Sequence, residues 1–162
     1  MGLERAAIHE IVKEKFAAAV VDDQRDVVDP FIAVKPDVVL ELARFLRDDD
    51  RLSFDLLSVI AGIDYPDRET IEVVYCLEST TAGHSLIVKT PLSRDKPVVS
   101  SVESVWRTAD WHERETYDLV GVDFEGHPNL VRILCAEDWE GHPLRKDYEP
   151  PAYYRGIKNI VY

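Results

Sequence analysis

The sequence predicts an α+β two-layer sandwich with a mixed or antiparallel sheet, followed by an extended C-terminal tail. Three observations carry this. Before residue 50, apolar residues recur at helical steps; from residue 54 to 90 they run continuously or alternate as in strands; past Gly121 no period survives.

Ile8, Ile11, Val12, Phe16, Ala19 and Val20 predict an amphipathic helix over residues 3–21, ended by Asp22 and Asp23. Residues 27–34 read as a short extended piece broken by Pro30. Pro36 suits the first turn of a second helix. Val38, Val39, Leu42, Phe45 and Leu46 form its buried stripe, and Asp48-Asp49-Asp50 closes it. Residues 54–63 are nearly all apolar and predict a well-buried strand. After turn chemistry at Tyr65-Pro66-Asp67, Ile71, Val73, Tyr75 and Leu77 mark one face of the next strand. Thr81-Ala82-Gly83 turns the chain, and residues 84–90 return as an antiparallel partner. Val98-Val99 adds a last strand. Ser100-Ser101-Val102-Glu103 has the form of a capping box and predicts a short helix through Val105 and Trp106. Asp110 is expected to cap a further helix reaching Val120, with Gly121 as its stop. The α+β domain is therefore expected over residues 1–122, with motif-bearing turns and a docking tail over 123–162.

The composition narrows the function. Asp and Glu number 31 against 19 Lys and Arg, a net charge of −12, which repels nucleic acid and anionic lipid. The acidity lies in the first 139 residues. From Glu140 onward, four basic residues (Arg145, Lys146, Arg155, Lys158) meet three acidic ones (Glu140, Asp147, Glu149). No apolar run approaches the length of a membrane span. Residues 1–5 lead into a polar helical pattern without an apolar signal core, which points away from secretion. Cys76 and Cys135 suit a reducing compartment better than a disulfide framework.

Phe124-Glu125-Gly126-His127-Pro128 is echoed by Trp139-Glu140-Gly141-His142-Pro143. In each block Gly permits a bend, Pro fixes φ and the aromatic anchors the loop, so the pair reads as two matched turns. His127 and His142 have no cysteine pair or third imidazole near them in sequence, and hydrogen-bonded turn histidines are the expectation rather than a metal site. His112-Glu113-Arg114-Glu115-Thr116 lacks the second His that a zinc-protease helix requires. Glu113, Glu115 and Asp118 share one predicted helix, but Arg114 stands four residues from both Asp110 and Asp118, the spacing of helix ion pairs rather than of an acid–base pair. No Gly-rich phosphate loop is present.

The stretch from Glu113 to Gly121 (with Arg114, Glu115 and Asp118), continuing through His127, Pro128 and Arg132 and ending with Asp138-Trp139-Glu140-Gly141-His142-Pro143-Leu144-Arg145-Lys146-Asp147-Tyr148, resembles the C-type subunit of NADH:quinone oxidoreductase, the bacterial complex I. It departs from the family's pattern at Val120, Val131 and Ala136. The earlier part of the chain matches in general plan only.

The resemblance implies a non-catalytic subunit of the hydrophilic arm, peripheral to the cytoplasmic side of the inner membrane. It implies docking on the D-type subunit, which helps form the quinone site, with the B-type subunit and neighbouring arm subunits as further partners. It also implies no cofactor in this chain, the flavin and iron–sulfur clusters lying in partner subunits. The two scattered cysteines agree, since they cannot supply a four-cysteine cluster. The isolated chain is expected to be inactive, while the assembly passes electrons from NADH to quinone. The alternative is the equivalent subunit of a membrane-bound hydrogenase, or of a photosynthetic or F420-oxidising complex I relative. The motif arginines are expected in a poorly solvated junction, Arg132 or Arg145 pairing with Glu115, Asp118 or acidic groups of the D-type subunit. The tail, with Tyr148, Tyr153, Tyr154 and Tyr162 among prolines, is expected to bury itself on a partner.

Overall fold

The computed structural model describes residues 2–159; Tyr162 lies outside them. Helix α1 (Arg5–Phe16) buries Ile8, His9, Val12 and Phe16. It stops earlier than its apolar period suggests. Ala17–Ala19 form one tight turn, and Val20–Gln24 become strand β1, whose Val20 pairs with Val34 of β2 (Phe31–Val34). Two β-branched valines beside an open strand gain more from the ladder than from another helical turn. Asp23, expected only to end the helix, staples β1 to α1. Its carboxylate takes His9 Nδ1 at 2.6 Å, Lys13 Nζ at 2.9 Å and the Arg25 guanidinium at 2.7 Å.

After α2 (Val39–Asp48) come β3 (Leu56–Tyr65), β4 (Thr70–Ser79) and β5 (His84–Ser93). The sheet order is β1-β2-β5-β4-β3, all antiparallel except the β2–β5 pair, so the sheet is mixed. Ile71, Val73, Tyr75 and Leu77 of β4 and Leu86, Val88 and Leu92 of β5 face one side and form a single core with Ile8, Val12, Leu42 and Leu46 of the helices. That is the expected two-layer arrangement.

Beyond β6 (Val98–Ser100) the expected short helix is absent. Residues 101–108 make turns instead. The Ser101 hydroxyl is taken by the distant Glu113 carboxylate at 2.6 Å, and Trp106 Nε1 donates to Phe54 O at 2.9 Å. Ser101 Oγ also accepts the Glu103 amide at 3.2 Å, while Ser100, the cap of the expected box, is extended as the last residue of β6. Helix α3 (Ala109–Val120) begins at Ala109, placing Asp110 in its first turn rather than at its cap. α3 lies on β3 at Gly62, where a Cβ would sit 2.8 Å from Thr116 Cγ2, so the glycine sets how closely helix and sheet approach. Strand β7 (Asp123–Glu125), which the sequence pattern does not reveal, runs parallel beside β6. Residues 126–159 are irregular, with several turns, except for a small hairpin of β8 (Tyr153–Tyr154) and β9 (Ile157–Lys158).

Candidate docking site around the third helix

A helix leaves its last four carbonyls without intrahelical partners. In α3 each finds a donor, and three of the donors come from the second echoed turn and the two residues that follow it. The Gly121 N–H, in the left-handed conformation at φ +85°, reaches Thr116 O and Tyr117 O at 3.1 and 3.0 Å. Asp118 O accepts from His142 Nδ1 at 3.0 Å and Arg132 Nη1 at 3.1 Å. Leu119 O accepts from the Leu144 amide at 2.9 Å, and Val120 O from Arg145 Nε at 2.8 Å. The segment from Gly141 to Arg145 is therefore the C-terminal cap of α3.

The Asp118 side chain holds the approach to that cap. One carboxylate oxygen takes the amides of Ile133, Leu134 and Cys135 at 3.0, 2.8 and 2.8 Å, and the other takes Arg132 Nη1 at 2.7 Å. Arg132 Nη2 goes on to Gly141 O at 3.0 Å. Burial works against the charge on Asp118, but the three amides and the guanidinium outweigh it and hold the carboxyl down at about 2. Of the expected pairings, Arg132 with Asp118 forms, whereas Arg145 spends its Nε on a carbonyl. Glu115 is exposed and makes no ion pair among the described residues.

The first turn serves the other end of the helix. His127 Nδ1 accepts the Asn129 amide at 3.0 Å, which leaves the proton on Nε2, directed at Asp110 O 3.2 Å away. The two histidines thus anchor on carbonyls eight residues apart, about 12 Å along α3. Pro128 and Pro143 follow them and turn the chain away. The rings sit at opposite ends of the helix, and no group of three His, Cys, Asp or Glu among the described residues is placed to hold a metal.

Glu113 lies between these anchors, fully buried, and accepts Ser101 Oγ at 2.6 Å and the Val102 amide at 2.7 Å. Its burial pushes the carboxyl up to about 7 despite those two bonds, with Glu103 and Asp110 adding to the rise. The buried Tyr75 hydroxyl and Asp110 Oδ1 have no hydrogen-bond partner among the described residues. The helix ion pairs suggested for Arg114 do not form. Asp118 is buried, half-buried Asp110 brings Oδ1 to 3.4 Å from His127 Nε2, and Arg114 instead donates to Val131 O at 3.2 Å with its guanidinium 5.4 Å from the Trp111 ring centre.

Sequence reasoning misses a second junction. Asp64, buried on β3, is gripped by Arg94 through two bonds of 2.7 and 3.0 Å and accepts the Lys146 amide at 2.8 Å, while Arg94 also reaches Asp147. A carboxylate at a core-facing strand position is the signal that could have found it. Farther on, Asp138 binds the Arg155 guanidinium and the Tyr154 hydroxyl, and Trp139 packs on the Tyr154 ring with centres 4.9 Å apart. The tail is pinned to α3 and folded back on itself through these contacts. What the clasp leaves outside is apolar: Trp111, Val131, Leu134 and Leu144 are 65%, 49%, 63% and 58% exposed.

The chain is thus a two-layer sandwich whose third helix is clasped at both ends beneath an exposed apolar face, and its relatives are known proteins. Residues 32–154 match the family described as "Respiratory-chain NADH dehydrogenase, 30 Kd subunit". The C-type subunit of NADH-quinone oxidoreductase from Chlorobium phaeobacteroides is 46% identical over 154 residues, covering 94% of this chain and 93% of that one. Its counterpart in Chloroherpeton thalassium is 45% identical over 93% of this chain but only 63% of its own. Among solved structures, a chain of the membrane-bound sulfane sulfur reductase, an archaeal respiratory membrane complex, superposes with a TM-score of 0.74 at 26% identity, covering 89% of this chain and 85% of that one. The trypsin-resistant fragment (1-134) of Nqo5 gives 0.63 at 27%, covering 76% and 98%. The chain belongs to the respiratory-chain NADH dehydrogenase 30 kDa subunit family, which includes the C-type subunits of NADH-quinone oxidoreductase.

Proposed function

We propose that this chain is a non-catalytic docking subunit of the hydrophilic arm of a proton-translocating NADH:quinone oxidoreductase. The clasped face of α3 seats the D-type subunit, with the B-type subunit and other arm subunits nearby, and the chain carries no cofactor of its own. The observation that carries the reading is the use made of the motif residues. Asp118, Arg132, His127, His142 and Arg145 are spent on fixing backbone, and what they fix is an exposed apolar surface of Trp111, Val131, Leu134 and Leu144. No helix among the described residues is long and apolar enough to cross a membrane. Association with the cytoplasmic side of the inner membrane then runs through the complex.

A second reading, the equivalent subunit of a related respiratory membrane complex with another electron donor, draws on the likeness to the sulfane sulfur reductase chain. Affinity purification of the tagged chain from its own cells separates the two. Recovery of an assembly that oxidises NADH with a quinone, while the chain alone turns over nothing, supports the first. An assembly inert to NADH supports the second. Turnover by the isolated chain contradicts both.

A further inference from the structure

The two edges of the main sheet differ. Strand β1 is five residues long, bulged between Val20 and Asp22, and covered with charge by Asp22, Asp23 and the Arg25 paired to Asp23. Those are the devices that keep a sheet edge from pairing with another chain. Strand β3, the opposite edge, runs ten residues. Thr108 Oγ1 closes its start by donating to Leu57 O at 3.1 Å, and its far end is occupied where Asp64 takes Arg94 and the Lys146 amide. Between them, among the described residues, residues 58–63 have backbone partners only in β4.

This open stretch borders a groove of about 240 Å³ between β3 and α3, lined by Gly62, His112, Glu115, Leu119 and Leu144. In the same stretch Val59, which also lines the groove, and Ile63 are 42% and 36% exposed. In an antiparallel edge strand, alternate residues direct their N–H and C=O groups outward. A row of such groups is complementary to another extended backbone, with side chains of alternate residues falling into the adjacent groove.

We propose that the free edge of β3 over residues 58–63 takes an extended segment of a partner subunit as a sixth strand. Apolar side chains of that segment seat against Leu119 and Leu144, and a basic side chain meets Glu115. The proposal rests on the docking-subunit reading and places a contact within it. Charge selects the occupant. Glu115 stands at the groove without an ion pair among the described residues, and the chain carries a net charge of −12. A second copy paired edge to edge would set acidic surfaces together, whereas a segment with a basic residue relieves the excess. The groove also shares Leu144 with the apolar face of the clasp, so one partner spans both.

Backbone hydrogen exchange tests this on the full chain, alone and within the assembly recovered with it. In the free chain, which should sediment as a monomer, outward amides of residues 58–63 exchange rapidly; in the assembly they slow by about tenfold or more. Glu115→Lys should lower recovery of the assembly by about tenfold with unchanged melting, and Glu115→Gln by less. Protection already present in a free monomer shows that the chain's own tail covers the edge, and protection in a dimer shows a second copy there; either overturns the proposal. Equal exchange of these amides free and assembled overturns it while the docking reading stands. A chain recovered without partners overturns both.

Discussion

Asp118 and Glu113 both lie on the buried side of α3, and their surroundings drive them in opposite directions. Asp118 accepts three amides and a guanidinium, so removing its charge leaves Arg132 poorly solvated and unpaired. Asp118→Asn should cost about 3–5 kcal/mol in a urea melt. Arg145→Ala, which loses one bond to a carbonyl, should cost only about 1 kcal/mol. Equal costs would mean that the buried Asp118 charge contributes no more than a single bond to a carbonyl.

The pH dependence separates the two carboxylates. Glu113 keeps its proton in the folded chain up to about 7, against an ordinary 4.5, so between those values the unfolded chain binds fewer protons and stability falls as pH rises. Asp118 is held at about 2 against 3.8, so its contribution is lost only as pH falls through that lower window. Glu113→Gln should flatten the decline between pH 4.5 and 7 and leave the acid limb in place. A decline that persists in Glu113→Gln would assign it to another group.

At the scale of elements, α3 is organised by chain that follows it. Gly121 sits at φ +85°, and a Cβ there would come within 2.6 Å of the His142 ring. Gly121→Ala must both strain the backbone and displace the cap, so a loss of about 2 kcal/mol or more is expected by calorimetry. His142→Ala, which frees one carbonyl and keeps the backbone conformation, should cost less. Much of this was legible in the sequence. The residue chemistry points to hydrogen-bonded turn histidines and to Gly121 as a stop, and it narrows the ion pair to Arg132 or Arg145 with Glu115, Asp118 or a partner's carboxylate, of which Arg132–Asp118 forms. The destination of the cap was not legible, because its donors lie more than twenty residues past the carbonyls they serve. The same physics hid the fate of the capping box: Ser100, its cap, is drawn into β6 opposite Glu125, and the Ser101 hydroxyl satisfies the buried Glu113 carboxyl. Strand β7 escaped because three residues carry no period, and β1 because two valines fit either a helix end or a strand.

Across the whole molecule, an acidic sandwich carries a nearly neutral, aromatic tail that is tied down at Asp118, Asp64 and Asp138. The alternation of β4 and β5 and the apolar stripes of α1 and α2 account for the body without reference to any partner. The clasp has a different logic, since it stabilises irregular backbone while leaving large apolar side chains in water. Such an arrangement makes sense when the exposed surface is covered by another protein. The measurement that bears most directly on this is recovery of the respiratory assembly with a tagged Trp111→Ala/Leu134→Asp double variant, read beside its melting temperature. Both side chains are largely exposed and outside the core, so melting should match the parent within a degree or two while recovered assembly falls at least about tenfold. Parental recovery with parental melting would contradict the claim that the clasped face of α3 is where the partner sits.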